Sequence, residues 1–350
     1  MRELRFEGVS VRYGSRRGGF TAVDGVDLTV PAGEIVGLVG ESGSGKSTLA
    51  RAAVGLLPVH SGRILLGGES PRQRTGARRP VQMVFQDPYA SLDPRMTVGA
   101  SIAETLPRRF AGGPKPAGAA KSDRQQEVSR LLERVGLAPD RAALYPRQLS
   151  GGQQQRVAIA RALAAGPDVI VADEITSALD VSVQGTVLNL VRDLQRDLGV
   201  SMLFISHNLA AVRYVASSIA VMYLGRIVEH GPTREVLADP QHPYTRDLLA
   251  SVPDARHTLA DESDESDEPS ARVVRDAEPA DPHRPPAGCR YHPRCPVGPL
   301  VLPGRDVCRT TEPGRDHPHH TACHFPGGPV ALPAPAVAAL STDERGDTAP

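Results

Sequence analysis

Lysine is nearly missing from this 350-residue chain: Lys46, Lys115 and Lys121 stand among 40 basic residues. A motif that demands lysine at a set position is therefore seldom met here by accident. No apolar run approaches the roughly 20 residues that a bilayer-crossing helix needs. The longest, around Ser218–Leu224, has the length of a strand. The segment Met1–Phe6 lacks the apolar core and cleavage site of a secretory leader. Net charge is absent too, because 40 acidic residues balance the basic ones, so no global field recruits nucleic acid or anionic lipid. No internal repeat is visible, which argues for one unit rather than a tandem pair. These absences predict a cytoplasmic chain that reaches a membrane only through partners.

What is present divides the chain into regions. Residues 1–257 alternate short β-branched runs with helical patterns, the signature of an α/β domain with a largely parallel sheet. Residues 258–282 contain the like-charge run Asp261–Glu268, which repels itself and predicts a solvated, disordered linker. Residues 283–326 carry all four cysteines and six of the eleven histidines in a Pro/Gly-rich setting too poor in aliphatics for an ordinary core. Residues 327–350 are rich in Ala and Pro and predict a disordered tail.

Within the first region, Glu34–Gly40 reads as a buried strand and Ser47–Leu57 as a helix stopped by Pro58. Residues 123–137 predict an amphipathic helix. Ser150 is a natural N-cap for a helix over 151–165, ended by Gly166 and Pro167. Asp168–Glu174 and Ser201–His207 are further apolar strands, separated by a helix over 181–198.

The stretch from Gly40 to Ser47, through Glu41, Ser42, Gly43, Ser44, Gly45 and Lys46, fits G-x-x-x-x-G-K-[ST] and is followed by Thr48. Glycines let backbone N–H groups fold around a phosphate, and the helix N-terminus adds positive potential. Lys46 would neutralise the β/γ-phosphates and Ser47 would ligate Mg²⁺. A Gly/Ser turn that merely contains a lysine is the bland alternative, and the strand-helix context weighs against it. Downstream, an apolar strand ends in Asp173 and Glu174. At the C-terminal edge of an open sheet Asp173 would hold Mg²⁺, and Glu174 would act as general base on water. Gln86, ending the strand that begins at Val81, could reach Mg²⁺ and water, and His207 could touch the γ-phosphate. Either residue taken singly has an equally good structural explanation.

The segment Leu149–Arg156, LSGGQQQR, resembles the signature of ABC ATPases and lies between the phosphate loop and the acidic strand, as that family requires. A serine cap and two glycines leave a helix tip bare for a phosphate. The resemblance implies that Ser150, Gly151, Gly152 and Gln153 close the ATP site of a second, facing subunit. It also implies that Gln86 lies in a Q-loop, Ser177–Asp180 in a D-loop, His207 at the switch position, and Tyr13 against adenine. As a strand aromatic, Tyr13 also has an ordinary explanation. The implied fold is a P-loop NTPase: a RecA-like core, an antiparallel β subdomain and a helical signature subdomain, with a small Cys-rich C-terminal extension. One departure concerns Ile175, where many relatives have proline, and it bears on the rigidity of the loop after Glu174.

Phe85–Pro94, Ser177–Gln184, His242–Leu249 and the tail segment Gly288–Pro296 are similar to dipeptide and oligopeptide importer ATPases. That subfamily implies ATP hydrolysis coupled to peptide uptake at the cytoplasmic face of the membrane. The implied partners are two transmembrane permease subunits, a second and related ATPase subunit, and an extracytoplasmic peptide-binding protein. Tyr89–Met96 and Tyr145–Gln148 would meet the permeases. Nickel or another solute is an alternative cargo, and a soluble ABC ATPase acting on nucleic acid is the rival class, although the chain shows no long insertion, second unit or strong basic patch. Cys289, Cys295, Cys308 and Cys323 follow C-x5-C-x12-C-x14-C. In a reducing compartment metal ligation is the better reading: a [4Fe–4S] cluster, or Zn²⁺ with His292 or His324 as substitutes. Unligated cysteines in a loose tail remain the alternative.

Overall fold

Alternating side chains along three strands of one sheet divide the core between its two faces. In β3 (Ile35–Val39), β6 (Val169–Asp173) and β7 (Ser201–Ile205) every residue is buried, as expected of parallel strands covered on both sides. Ile35, Val39, Ile170, Ala172, Met202 and Phe204 join one hydrophobic cluster, whereas Val36, Leu38, Val169, Val171, Leu203 and Ile205 join the other. The computed structural model describes residues 2–14, 18–71, 80–107, 119–251 and 280–327. Apart from 280–282, the expected linker lies outside the described residues, and so does the expected tail beyond Gly327.

The main sheet has the order β5-β6-β7-β3-β8-β9, with β5 at Val81–Val84, β8 at Ser218–Tyr223 and β9 at Arg226–Pro232. Its pairings are parallel except β8 with β9. A smaller antiparallel sheet, β2-β1-β4, is built from Leu4–Tyr13, Phe20–Val30 and Ser61–Leu66, with β1 in the middle. Helix α1 (Lys46–Ala53) follows β3 directly. It ends earlier than Pro58 would dictate, because Gly55 turns left-handed at φ 78° and Leu56 N–H returns to Arg51 O. A short α2 (Pro88–Ser91) follows β5, and α3 (Val98–Thr105), α4 (Ala119–Arg134) and α5 (Gly151–Ala164) form a helical layer. Helix α4 begins and ends a few residues before the 123–137 expected, and Gly136 at φ 67° closes its last turn. The expected helix over 181–198 is α6 (Val181–Leu198), capped by left-handed Gly199. Among the described residues no helix is long and apolar enough to cross a membrane.

After α7 (Leu209–Val215), α8 (Thr233–Ala238) and α9 (Pro243–Ala250), the tail from residue 280 lies against the sheet rather than apart from it. Cys289, Tyr291, Cys295, Val297 and Cys308, the last on α10 (Val307–Thr310), share the cluster built on the main sheet. The tail thus borrows the core it is too small to make. Buried Glu229 on β9 fastens this region. It accepts from Gln241 N–H at 2.8 Å and His242 N–H at 3.0 Å, and His319 Nδ1 of the tail lies 3.3 Å away.

Candidate functional site

The turn between β3 and α1 is shaped by its neighbours. A Cβ on Gly45, at φ 106°, would sit 2.4 Å from Ala22 O, and one on Gly40 would sit 2.1 Å from Met222 O. Only glycine lets β2 and β8 press this closely on the loop. Lys46 is the first residue of α1, and its buried Nζ reaches back to Gly40 O and Glu41 O, both at 2.8 Å. Burial pulls its pKa below the ordinary lysine value, while the charges of Glu174, Asp173 and Glu41 pull the other way.

Beneath the loop, Ser47 Oγ donates to Asp173 Oδ1 at 3.0 Å. Asp173 is buried at the end of β6. Burial raises its carboxyl pKa, the Ser47 hydrogen bond opposes that rise, and the neighbouring Glu174 charge adds to it. Glu174 occupies the left-handed region at φ 48°, an uncommon place for a side chain with a Cβ. Its N–H donates to Ile205 O at 2.9 Å, which ties the turn to β7. Glu174 Oε2 accepts from Gln86 Nε2 at 3.1 Å and lies 3.4 Å from His207 Nδ1. Gln86 also donates to Ser177 Oγ at 3.2 Å, and Ser177 Oγ donates to Glu174 O at 2.9 Å. Loop rigidity after Glu174, where proline was absent, has a visible source in Ile175, 2% exposed, and in these Ser177 bonds. The C-terminal ends of three adjacent parallel strands, β5, β6 and β7, thus deliver an amide, two carboxylates and an imidazole to one edge. With the Lys46 ammonium and the loop N–H groups alongside, this edge can hold phosphates and polarise a water.

Tyr13 stacks on Phe20 with ring centroids 5.5 Å apart, and its hydroxyl is 3.3 Å from Thr48 Oγ1, so it stands beside the start of α1. The signature segment is built separately, at the tip of α5. Ser150 Oγ accepts from Gln153 N–H, and Gln153 Oε1 accepts from Ser150 N–H at 3.1 Å, a reciprocal cap. Gly152 is required by packing, since a Cβ there would meet Val183 Cγ1 of α6 at 2.3 Å, whereas Gly151 has room for ordinary contact. Ser150 is exposed, and its bonds close on its own helix rather than on the phosphate loop.

Two residues from distant segments also hold Glu41. Tyr244 of α9 accepts from Glu41 N–H at 2.8 Å, and Arg294 Nη1 of the tail donates to Glu41 Oε1 and Oε2 at 3.2 and 3.3 Å. They are 203 and 253 residues from Glu41 in the chain, and no local spacing could have paired them. A cavity of about 300 Å³ lies between β8, β9 and the tail. Its charges are already matched: Arg226 and Arg290 on Asp24, Arg226 on Glu312, and Arg315 on Asp27.

The four cysteines are buried, and none is in a disulfide. Burial pushes the Cys289 thiol up to about 12 and raises Cys295, Cys308 and Cys323 as well, with neighbouring cysteines adding to the rise at Cys289. The sulfurs are thus within electrostatic reach of one another. Even so, among the described residues no group of three or more His, Cys, Asp or Glu side chains is arranged to hold a metal ion.

Comparison with known proteins bears on both halves of the chain. A family model described as "ABC transporter" matches residues 23–177, and one described as "Oligopeptide/dipeptide transporter, C-terminal region" matches residues 228–298. A candidate peptide import ATP-binding protein of Brucella ovis is 42% identical over 315 residues, 89% of this chain and 92% of the relative. Another from Brucella abortus is 46% identical over 298 residues, 83% of this chain and 82% of the relative. Among solved structures, the dimeric post-hydrolysis state of the ATP-binding cassette MJ0796 with ADP and phosphate superposes with a TM-score of 0.57 at 28% identity, covering 66% of this chain and 99% of that one. The cbiO1 protein of Clostridium perfringens, part of an ABC transporter complex, gives 0.58 at 26% identity over 73% of this chain and 98% of its own.

Proposed function

The chain belongs to the ABC transporter family of ATP-binding proteins, and from that premise we propose that it hydrolyses ATP to drive uptake of dipeptides and oligopeptides through two separate permease subunits. The names of the Brucella relatives and the match of residues 228–298 to an oligopeptide/dipeptide transporter region support the cargo. We place the ATPase unit at residues 1–257 and the oligopeptide-transporter-type region at 283–326. The subunit works at the cytoplasmic face of the membrane, held there by its permeases.

The observation that carries the ATPase reading is the meeting of Ser47 with Asp173, and of Gln86 and His207 with Glu174, at one sheet edge. Lys46 exchanges its carbonyl partners for the terminal phosphates when ATP enters. Ser47 and Asp173 offer hard oxygens 3.0 Å apart, a donor set that fits Mg²⁺, which takes few protein ligands and completes its shell with phosphate oxygens and water. Held by Ser47 and Asp173, Mg²⁺ would neutralise phosphate charge. Glu174 accepts a proton from the water that attacks the γ-phosphorus, and ADP departs. Gln86 and His207 hold that carboxylate in place. The tip of α5, with Ser150, Gly151, Gly152 and Gln153, serves the γ-phosphate of a second ATPase subunit, a related but non-identical chain stacked head to tail. That a similar cassette is dimeric with ADP and phosphate bound supports the pairing of two ATPase units. Closure passes to the permeases through Gln86 and the following Tyr89–Met96, where Tyr89 is 65% exposed, with Tyr145–Gln148 adding to the contact. A solute-binding protein outside the membrane supplies the peptide.

Replacing Glu174 by glutamine keeps ATP binding and slows hydrolysis at least about a hundredfold, the loss expected of a positioned general base. Near-normal turnover in the reconstituted transporter removes Glu174 from this role.

For the tail we propose metal ligation by Cys289, Cys295, Cys308 and Cys323, with a [4Fe–4S] cluster ahead of Zn²⁺. Their donor chemistry fits a soft metal. The sulfurs as they stand do not close on one ion, so no catalytic step is assigned to the group. Anaerobic purification with metal analysis and visible absorption decides between iron, zinc and no metal.

A further inference from the structure

The phosphate loop carries a carboxylate at the position after its first glycine. Lys46 Nζ donates to Glu41 O at 2.8 Å and the Glu41 charge acts on that ammonium, so the carboxylate lies within electrostatic range of a triphosphate held by Lys46. Left alone, such a carboxylate opposes ATP. It is not left alone: Arg294, 17% exposed, directs Nη1 at both of its oxygens. That arginine is the last residue of the short 3₁₀ turn His292–Arg294, immediately before Cys295. Just after Cys289, Arg290 anchors the same segment to Asp24 and to Leu224 O. Tyr291, between them, packs edge-on to Tyr223 at 5.2 Å and tilted to Tyr244 at 5.4 Å. Tyr244 in turn receives Glu41 N–H.

We propose that Arg294 is a positioning residue for ATP: it offsets the Glu41 charge, so that the cysteine-bearing tail sets the affinity of the phosphate loop for nucleotide. This rests on the reading of that loop as an ATP site and adds a determinant from outside the ATPase unit. Because the guanidinium is fixed by the segment between Cys289 and Cys295, displacement of that segment would release the carboxylate toward the phosphates.

The test measures the Kd for ATP of the full chain and the KM and kcat of the transporter complex. Arg294→Ala raises Kd and KM about five- to tenfold, the effect of one partly screened charge, while kcat stays within about twofold. Arg294→Lys recovers most of the affinity. Combining Glu41→Gln with Arg294→Ala brings Kd back near wild type, because the charge to be offset is gone. A double variant as weak as Arg294→Ala, or an Arg294→Ala variant of unchanged Kd, overturns the proposal. If Arg294→Ala does not fold, Glu41→Gln alone carries the test: it leaves the guanidinium uncompensated and lowers Kd, and an unchanged or raised Kd refutes the idea. Lys46→Ala separates the two layers of argument. Unaltered ATP binding in that variant defeats the ATP-site reading itself, whereas loss of binding there with no effect at Arg294 defeats only the role given to the tail.

Discussion

Replacing Glu229 by glutamine changes one buried atom and probes the joint between the sheet, the His242–Tyr244 segment and the tail. The carboxylate is fully buried and accepts from two backbone N–H groups at 2.8 and 3.0 Å. Glutamine has the same shape but a single acceptor oxygen, so one N–H of Gln241 or His242 faces an NH₂ group. A buried donor left without a partner costs about 1–3 kcal/mol. Removing a buried charge recovers some desolvation energy, which argues the other way. The two backbone donors already satisfy the carboxylate, so loss of a partner dominates, and the net destabilisation falls at the lower end of that range, about 1 kcal/mol. Alanine leaves both donors unpaired and adds a cavity, for about 2–5 kcal/mol. Urea unfolding with an unchanged slope reads the difference from the midpoint. Glu229→Gln within about 0.5 kcal/mol of wild type would refute the reasoning, because the backbone bonds would then contribute nothing net. A second readout follows, since Tyr244 caps Glu41 N–H: the destabilised variant also binds ATP more weakly.

Asp173 and His242 give predictions that depend on charge. Burial raises the Asp173 pKa, so at neutral pH its ionised form is held at a cost to the empty fold, a cost relieved as pH falls through the raised value. Asp173→Asn therefore raises the thermal midpoint of the nucleotide-free, Mg²⁺-free protein while abolishing Mg²⁺-dependent hydrolysis; a lowered midpoint contradicts this. His242 is buried, its Nδ1 accepts Tyr244 N–H at 3.0 Å, and burial lowers its pKa to about 3. The unfolded chain protonates this ring near the ordinary value of about 6.5, so its contribution is complete above that pH and lost as pH falls toward the folded value. The slope is about 1.4 kcal/mol per pH unit at its steepest. Asn is a good N-cap and does not titrate, so His242→Asn flattens the acid limb of stability measured from pH 7 to pH 4. An unchanged limb removes His242 as its source.

How far the molecule could be read from its sequence depends on the range of the interactions concerned. The loop at Gly40–Ser47, the cap at Ser150 and the helix 181–198 were legible because each is decided within a few residues, by glycine freedom, a side-chain cap or a helical period. The strand ends bearing Gln86, Asp173 and His207 were legible through order along the chain, because parallel strands deliver their C-terminal residues to one edge. The end of α1 was misplaced because Pro58 is the louder signal, yet Gly55 had already turned the chain. The docking of the tail was not legible for a different reason. Residues 283–326 have too few aliphatics for a core of their own, and counting them alone names no surface for them to pack on. What the count could not include is that Tyr291, Cys295 and Val297 enter a cluster that includes residues of β3, β6 and β8. Composition measures what a segment can bury by itself. It is blind to a segment that completes another's core, and the contact of Arg294 with Glu41 exists only because that docking brings residue 294 to the phosphate loop. The same docking is why a change in the tail should be felt as a change in ATP affinity rather than as a local loss of order.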